Sequence, residues 1–296
     1  MLELTERPGL EAMTTSIHTN TSAMIALQNL NRTNDQLAST QSRVNTGLKV
    51  QGARDNAAVW AVAQGQRADR GSLEAVATSL KRATSIADVS LAAGEQISDL
   101  LVELKSKATA ASDESATLAM RTSYNDEFQA LLKSVQSFAD NAIFDGSNIL
   151  DGTATAGINF LASADGAETI TLNRQNLTLA GLGLAANAAA TPATAAPDLL
   201  TKAKADDALT RINAAISTST ARLAELGAQS KQIERHTTYV GKLSDALEAG
   251  IGNLVDADMA KESARLTALQ VQQQLGVQAL SIANQSPQII LSLFKG

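Results

Sequence analysis

The chain has 296 residues, a formal net charge of −6, 3% aromatic residues and no cysteine. The acidic balance excludes nucleic acid as the main partner, and the absence of cysteine excludes disulfides and thiolate metal sites. Scarce aromatics also exclude a core built on large rings, and the length allows one to three domains.

Met1 to Ala12 differs from the rest of the chain. It is acidic, contains Pro8-Gly9 and precedes a second methionine, Met13. It has no apolar run, so it is not a secretory signal, and residues 1–12 are expected to be a disordered or artefactual leader. Thr14 to Asn31 carries no formal charge. Then Leu27, Leu30, Asn34, Leu37, Gln41, Val44 and Leu48 follow a heptad. The polar seam residues Asn34 and Gln41 weaken a coiled coil but fix its register. Gly47 and Gly52 end the pattern, and Thr46 to Asp55 reads as a charged turn, a hinge or spoke.

Helix resumes near Asp55, with Trp60, the single tryptophan, expected to be buried. Ile97, Leu101, Leu104, Ala108 and Ala111 form one apolar stripe, and Phe128, Leu131, Val135, Phe138 and Ala142 form another; both read as core faces. The Ser-rich stretch 111–116 turns the chain between them. Beyond Ala142, Phe144-Asp-Gly-Ser-Asn and Leu150-Asp-Gly are turn signals, and Ile158–Leu161 and Thr169–Leu172 read as short strands. Leu182 to Pro197 is low complexity, best read as loop. Asp198 is a candidate helix cap.

The last hundred residues organise the chain. Leu209, Ile212, Ile216, Ser219, Leu223, Leu226, Ser230, Ile233, Thr237, Val240 and Ser244 keep alternating spacings of three and four, which predicts a long helix lying against others. From Leu199 to Val255 it would run roughly 85 Å at 1.5 Å per residue. Leu266 to Phe294 is then free of charge but carries seven glutamines. A bilayer would leave those amides unpaired, so no membrane partner is expected. Such a helix needs cover on most of its sides. Ala264, Ala268, Val271, Leu275, Ala279 and Ile282 make one seam, while Leu266, Leu269 and Leu280 face elsewhere.

The expected fold is mainly α: a long antiparallel helical rod or coiled-coil bundle, with a small β-containing insert at its tip and the terminal helices paired as an inner domain. The halves are 13–48 with 257–296 for the inner domain and 49–147 with 199–256 for the rod, with the insert at 148–198. Two terminal helices cannot cover each other all round, and leftover apolar faces mark association sites. A head-to-tail surface that does not close makes a helical filament. The expected self-assembly residues are Leu27, Leu30, Asn34, Leu37, Val44, Leu266, Val271, Leu275, Ile282, Leu291 and Phe294.

Particular stretches then carry a resemblance. At the N-terminal side they are Ser16-Ile-His-Thr-Asn20, Ala26-Leu-Gln-Asn-Leu30, Val44-Asn-Thr-Gly-Leu48 and Ala53-Arg-Asp-Asn-Ala57. The middle has Ile143-Phe-Asp-Gly146. At the C-terminal side they are Leu254-Val-Asp-Ala-Asp-Met-Ala260, Ala283-Asn-Gln-Ser-Pro-Gln288 and Leu291-Ser-Leu293. In order, with a free middle, they resemble bacterial flagellin of the alphaproteobacterial type with a short variable region. The resemblance implies a subunit that polymerises with itself into the secreted, extracellular flagellar filament used for motility. It further implies export in an unfolded state and partners that include an export chaperone, a cap and hook-associated proteins. In many flagellins a vertebrate immune receptor binds an arginine-rich helix motif. The equivalent here is Leu101-Val-Glu-Leu-Lys-Ser-Lys107, with Glu103 at a basic position and Ser106 and Lys107 in place of an acidic-apolar pair, which implies a weakened motif at Leu101, Glu103 and Lys105.

No enzyme, cofactor or metal is expected. His18 and His236 are isolated, no metalloprotease motif follows either, and Asp256 with Asp258 suits a helix break. A hook-filament junction protein is the alternative, since it shares the terminal regions. A freestanding coiled-coil adaptor has no reason for charge-free ends. An outer insert would make deletion of 153–195 tolerable.

Overall fold

The computed structural model describes residues 20–186 and 195–293, except for the side chains of 286–293. The leader, Met13, the motif residues before Asn20, His18, the middle of the low-complexity loop and Phe294 lie outside the described residues. Five helices dominate: α1 (Thr21–Thr46), α2 (Ala57–Ser112), α3 (Leu118–Asn141), α4 (Lys202–Val255) and α5 (Met259–Leu293). Strands β1 (Ile143–Phe144) and β2 (Ser147–Asn148) pair antiparallel, as do β3 (Ile158–Leu161) and β4 (Thr169–Leu172). The protein is thus mainly α with two small hairpins. The chain divides into two compact units, residues 1–66 with 249–296, and residues 67–248.

In the larger unit the core runs along α2, α3 and α4. Ile97, Leu101, Leu104, Ala108 and Ala111 are fully buried on one stripe of α2, as their spacing requires. On α4, Ile212, Ser219, Leu226, Ile233 and Val240 recur every seven residues and are all buried. Leucine and isoleucine in such a column contribute about 1.5–3 kcal/mol each by leaving water. Ser219 contributes nothing of the kind, and its hydroxyl finds no partner. At Gly94 α2 lies close to α4: a Cβ there would lie 2.3 Å from the Leu223 side chain.

The α3 stripe differs from the expected one. Phe128, Leu132, Val135, Ala139 and Ala142 are buried, whereas Phe138 faces solvent and Leu131 is half-buried. The smaller Ala139 occupies the position that the ring of Phe138 was expected to fill.

Local chemistry closes the turns. Between α2 and α3, Asp113 accepts hydrogen bonds from the Ser115 amide and hydroxyl, which hold its carboxyl below the usual range. Thr117 caps α3, and Arg121 donates to the carbonyls of Ala111 and Asp113. Asp145 and Gly146 both take positive φ, 47° and 72°, the geometry a two-residue hairpin prefers for its right-handed twist. Thr201 caps α4 through its hydroxyl, and Asp198, expected in that role, instead pairs with Lys204.

The insert corrects the expected architecture. Its hairpin β3–β4 does not sit at a helix tip. It lies against the middle of α2 and α4: the Leu161 amide donates to Ser79 Oγ, and Asn173 reaches Glu225 and Gln229. Phe160, Ile170, Leu172, Leu177, Leu182 and Leu184 join the same buried cluster as the helices. Arg222 on α4 is partly buried beneath this segment and donates to the carbonyls of Asn176 and Gly181.

Candidate assembly surface

The smaller unit is built on α1 and α5, which pack side by side. Gly47 ends α1 in the left-handed conformation, φ 71°, where any side chain would be strained. The chain then forms a short bridge to the α4–α5 connection: Lys49 and Val50 donate to the Val255 carbonyl, and Ala257 donates to that of Gly47. Val50, Ala63, Ile251 and Val255 make a small core there, with Trp60 half-buried against it rather than inside. Asp258 caps α5 by accepting from the amides of Ala260 and Lys261, the structural use expected of that acid.

Three polar ties set the register of α1 against α5. Near one end Arg43 meets Glu262 at 3.4 Å. Midway, Gln273 Nε2 donates to Asn34 Oδ1 at 2.8 Å. At the other end Asn20 does two things. Its Oδ1 accepts from the Ala23 amide and caps α1, while its Nδ2 donates 2.8 Å to the Ala283 carbonyl. That carbonyl is free because Pro287, four residues on, has no N–H to give it. Asn20 and Ala283, 263 positions apart in the chain, therefore meet.

Apolar contacts follow the same line. On α1, Leu37 is buried, Leu30, Asn34 and Val44 are half-buried, and Thr40 takes the inward position expected of Gln41. On α5 the inward residues are Glu262, Leu266, Leu269, Gln273, Gly276, Leu280 and Ala283. The other stripe points away from α1. Val271 is 51% exposed, Leu275 57% and Ile282 68%, and Ala264, Ala268 and Ala279 lie open beside them. On α1, Leu27 is 47% exposed, with Met24 and Ile25 also exposed. Leu291 lies on the last turn of α5, and Phe294 lies outside the described residues. Met24 and Ile25 carry part of this open face and were not singled out from sequence; their signal was the charge-free run in which they sit.

Elsewhere, Leu101 is buried while Glu103 and Lys105 are exposed on α2. Lys107 pairs with Glu127 of α3, which raises its pKa. No group of His, Asp and Glu able to hold a metal ion occurs among the described residues. Nor is any helix among them long and apolar enough to cross a membrane.

A helical subunit that buries one stripe of its terminal helices within itself and leaves a second apolar stripe open is an assembly subunit by class. Comparison with known proteins places that class. The bacterial flagellin N-terminal helical region matches residues 17–155, and the bacterial flagellin C-terminal helical region matches residues 209–294. Flagellin FljM of Caulobacter vibrioides is 50% identical over 280 residues, covering 95% of this chain and 98% of that protein. A flagellin of Brucella melitensis is 38% identical, covering 95% and 99%. Flagellin C of Rhizobium meliloti is 35% identical, covering 95% and 99%. The chain belongs to the flagellin family. It is a structural subunit of the bacterial flagellar filament, the extracellular polymer that flagellins form with copies of themselves.

Proposed function

We propose that polymerisation runs through the open faces of α1 and α5, with Leu27, Val271, Leu275 and Ile282 meeting neighbouring copies. Leu30, Asn34, Leu37, Val44 and Leu266 act one step earlier, by holding the two helices in register. Leu291 and Phe294, whose side chains lie outside those described, complete the set of expected assembly residues. The observation that carries this reading is the apolar stripe on α5 opposite the face that packs on α1. Exposed apolar side chains that line up along one helix face mark an association site. In the filament, 13–48 with 257–296 form the inner layer, 49–147 with 199–256 the surrounding layer, and 148–198 the outward-facing segment. The chain is exported unfolded with an export chaperone, assembles beneath a cap and joins hook-associated proteins at the filament base. Its role is structural and non-catalytic.

Electron microscopy of the purified chain after seeding tests the assembly surface. The native chain should give long filaments. Leu275→Asp and Ile282→Asp should give none, with an unchanged circular dichroism spectrum. Filaments of normal length from both variants would overturn the reading.

The same reading bears on immune recognition. Glu103 puts a negative charge where the family motif carries a positive one, so receptor activation should be weak. In a reporter-cell assay the response should fall well below that of a flagellin with the arginine-rich motif, and an equal response would remove the proposal.

A further inference from the structure

An open cleft of about 580 Å³ lies between α4 and the hairpin β3–β4, within the larger unit. Its size is in the range of small-molecule sites. On α4 its wall is one helical face, with Ala228, Gln232, Arg235 and Tyr239 spaced by four, three and four. Glu168, Thr169 and Ile170 of the hairpin face it. The small side chain of Ala228 leaves room between the two walls.

Four polar side chains around this cleft are unspent. The side chains of Glu168, Gln232, Arg235 and Tyr239 make no hydrogen bond or ion pair among the described residues. Neighbouring polar groups in the same segment are committed: Asn173 to Gln229 and Glu225, and Arg174 to carbonyls. His236 is committed too. Its Nε2 lies 2.7 Å from the Ala162 carbonyl, to which it donates as the Nε2–H tautomer. The fixed imidazole sits 5.7 Å from the Tyr239 ring, tilted by 46°, and so gives that ring a wall on one side. The tyrosine is nonetheless 57% exposed, whereas Tyr124, the other tyrosine, packs against the core.

We propose that this cleft binds a neutral hexopyranose, free or at the end of an oligosaccharide. A pyranose offers a face of C–H groups to an aromatic ring and a rim of hydroxyls, each both donor and acceptor. Tyr239 supplies the ring. Arg235 gives only donors, Glu168 only acceptors, and Gln232 both, and planar guanidinium and carboxylate groups can each span two adjacent hydroxyls. The charges select the class. Glu168 and Arg235 together leave the cleft without net charge, which suits a neutral polyol. With an open cleft and side chains that must be ordered on binding, the affinity belongs in the millimolar range.

Saturation-transfer NMR on the full chain, with the methyl glycosides of glucose, galactose and mannose in excess, tests this. At least one glycoside should receive saturation through its ring C–H protons. Tyr239→Ala should abolish the transfer, and Glu168→Ala should weaken binding roughly tenfold or more, both with native circular dichroism. Tyr239→Phe, which keeps the ring, should retain it. No transfer to any of the three, transfer unchanged in Tyr239→Ala, or binding of glucuronate or inorganic phosphate in place of the neutral sugars would overturn the proposal. Filament formation does not enter this readout, so the assembly surface and the sugar cleft stand or fall separately.

Discussion

Asn20 shows how much one side chain can do when two backbone deficits fall within its reach. The start of α1 lacks an acceptor for its first amides, and the Ala283 carbonyl lacks a donor because of Pro287. One carboxamide supplies both. Asn20→Ala removes a cap worth about 1 kcal/mol and strips a carbonyl of its donor at a cost of about 1–3 kcal/mol if water cannot reach it. Asn20→Ser keeps an oxygen for the cap but is too short to reach α5. Hydrogen exchange of α1 amides should therefore accelerate in the order native, Asn20→Ser, Asn20→Ala; equal rates in all three would show that the tie carries no energy. None of this was legible as a contact, since the partners lie 263 positions apart. Its one trace in the sequence was a proline inside a helical pattern, which always leaves a carbonyl in search of a donor.

At the level of elements, strict periodicity was readable and near-ties were not. The seven-residue column of α4 was legible because each inward position is flanked by polar or small neighbours. On α3, Leu131 adjoins Leu132 and Phe138 adjoins Ala139, so composition alone favoured the larger ring while close helix packing took the alanine. On α5 both stripes are apolar, and only the placement of α1 decides that Leu266, Leu269 and Leu280 turn inward while Val271, Leu275 and Ile282 stay open. The strands β3 and β4 were legible from their turn signals and, for β4, its alternation; their seat was not, because nothing local says which helices a hairpin will lie on. That seat changes one expectation. Deleting 153–195 removes Phe160, Ile170, Leu172, Leu177, Leu182 and Leu184 from the core and uncovers apolar surface on α2 and α4. The deletion should lower the thermal midpoint by more than about 10 °C, as expected from losing several kilocalories per mole. A midpoint within a few degrees of native would mean that the helices close over the gap.

At the level of the whole molecule, α1 and α5 depend on each other in a way the other helices do not. The inward stripe of α1 has α5 as its cover, and helices in proteins draw most of their stability from packing an apolar face rather than from propensity. A chain lacking 259–293 should show fast amide exchange throughout α1 while 67–248 stays protected; protection of α1 in that variant would show that it is stable alone. The tie between Asn20 and Ala283 adds a clasp to this dependence. It closes a loop of chain 263 positions long, so the far end of the α1–α5 pair cannot be peeled open from one helix without releasing the other.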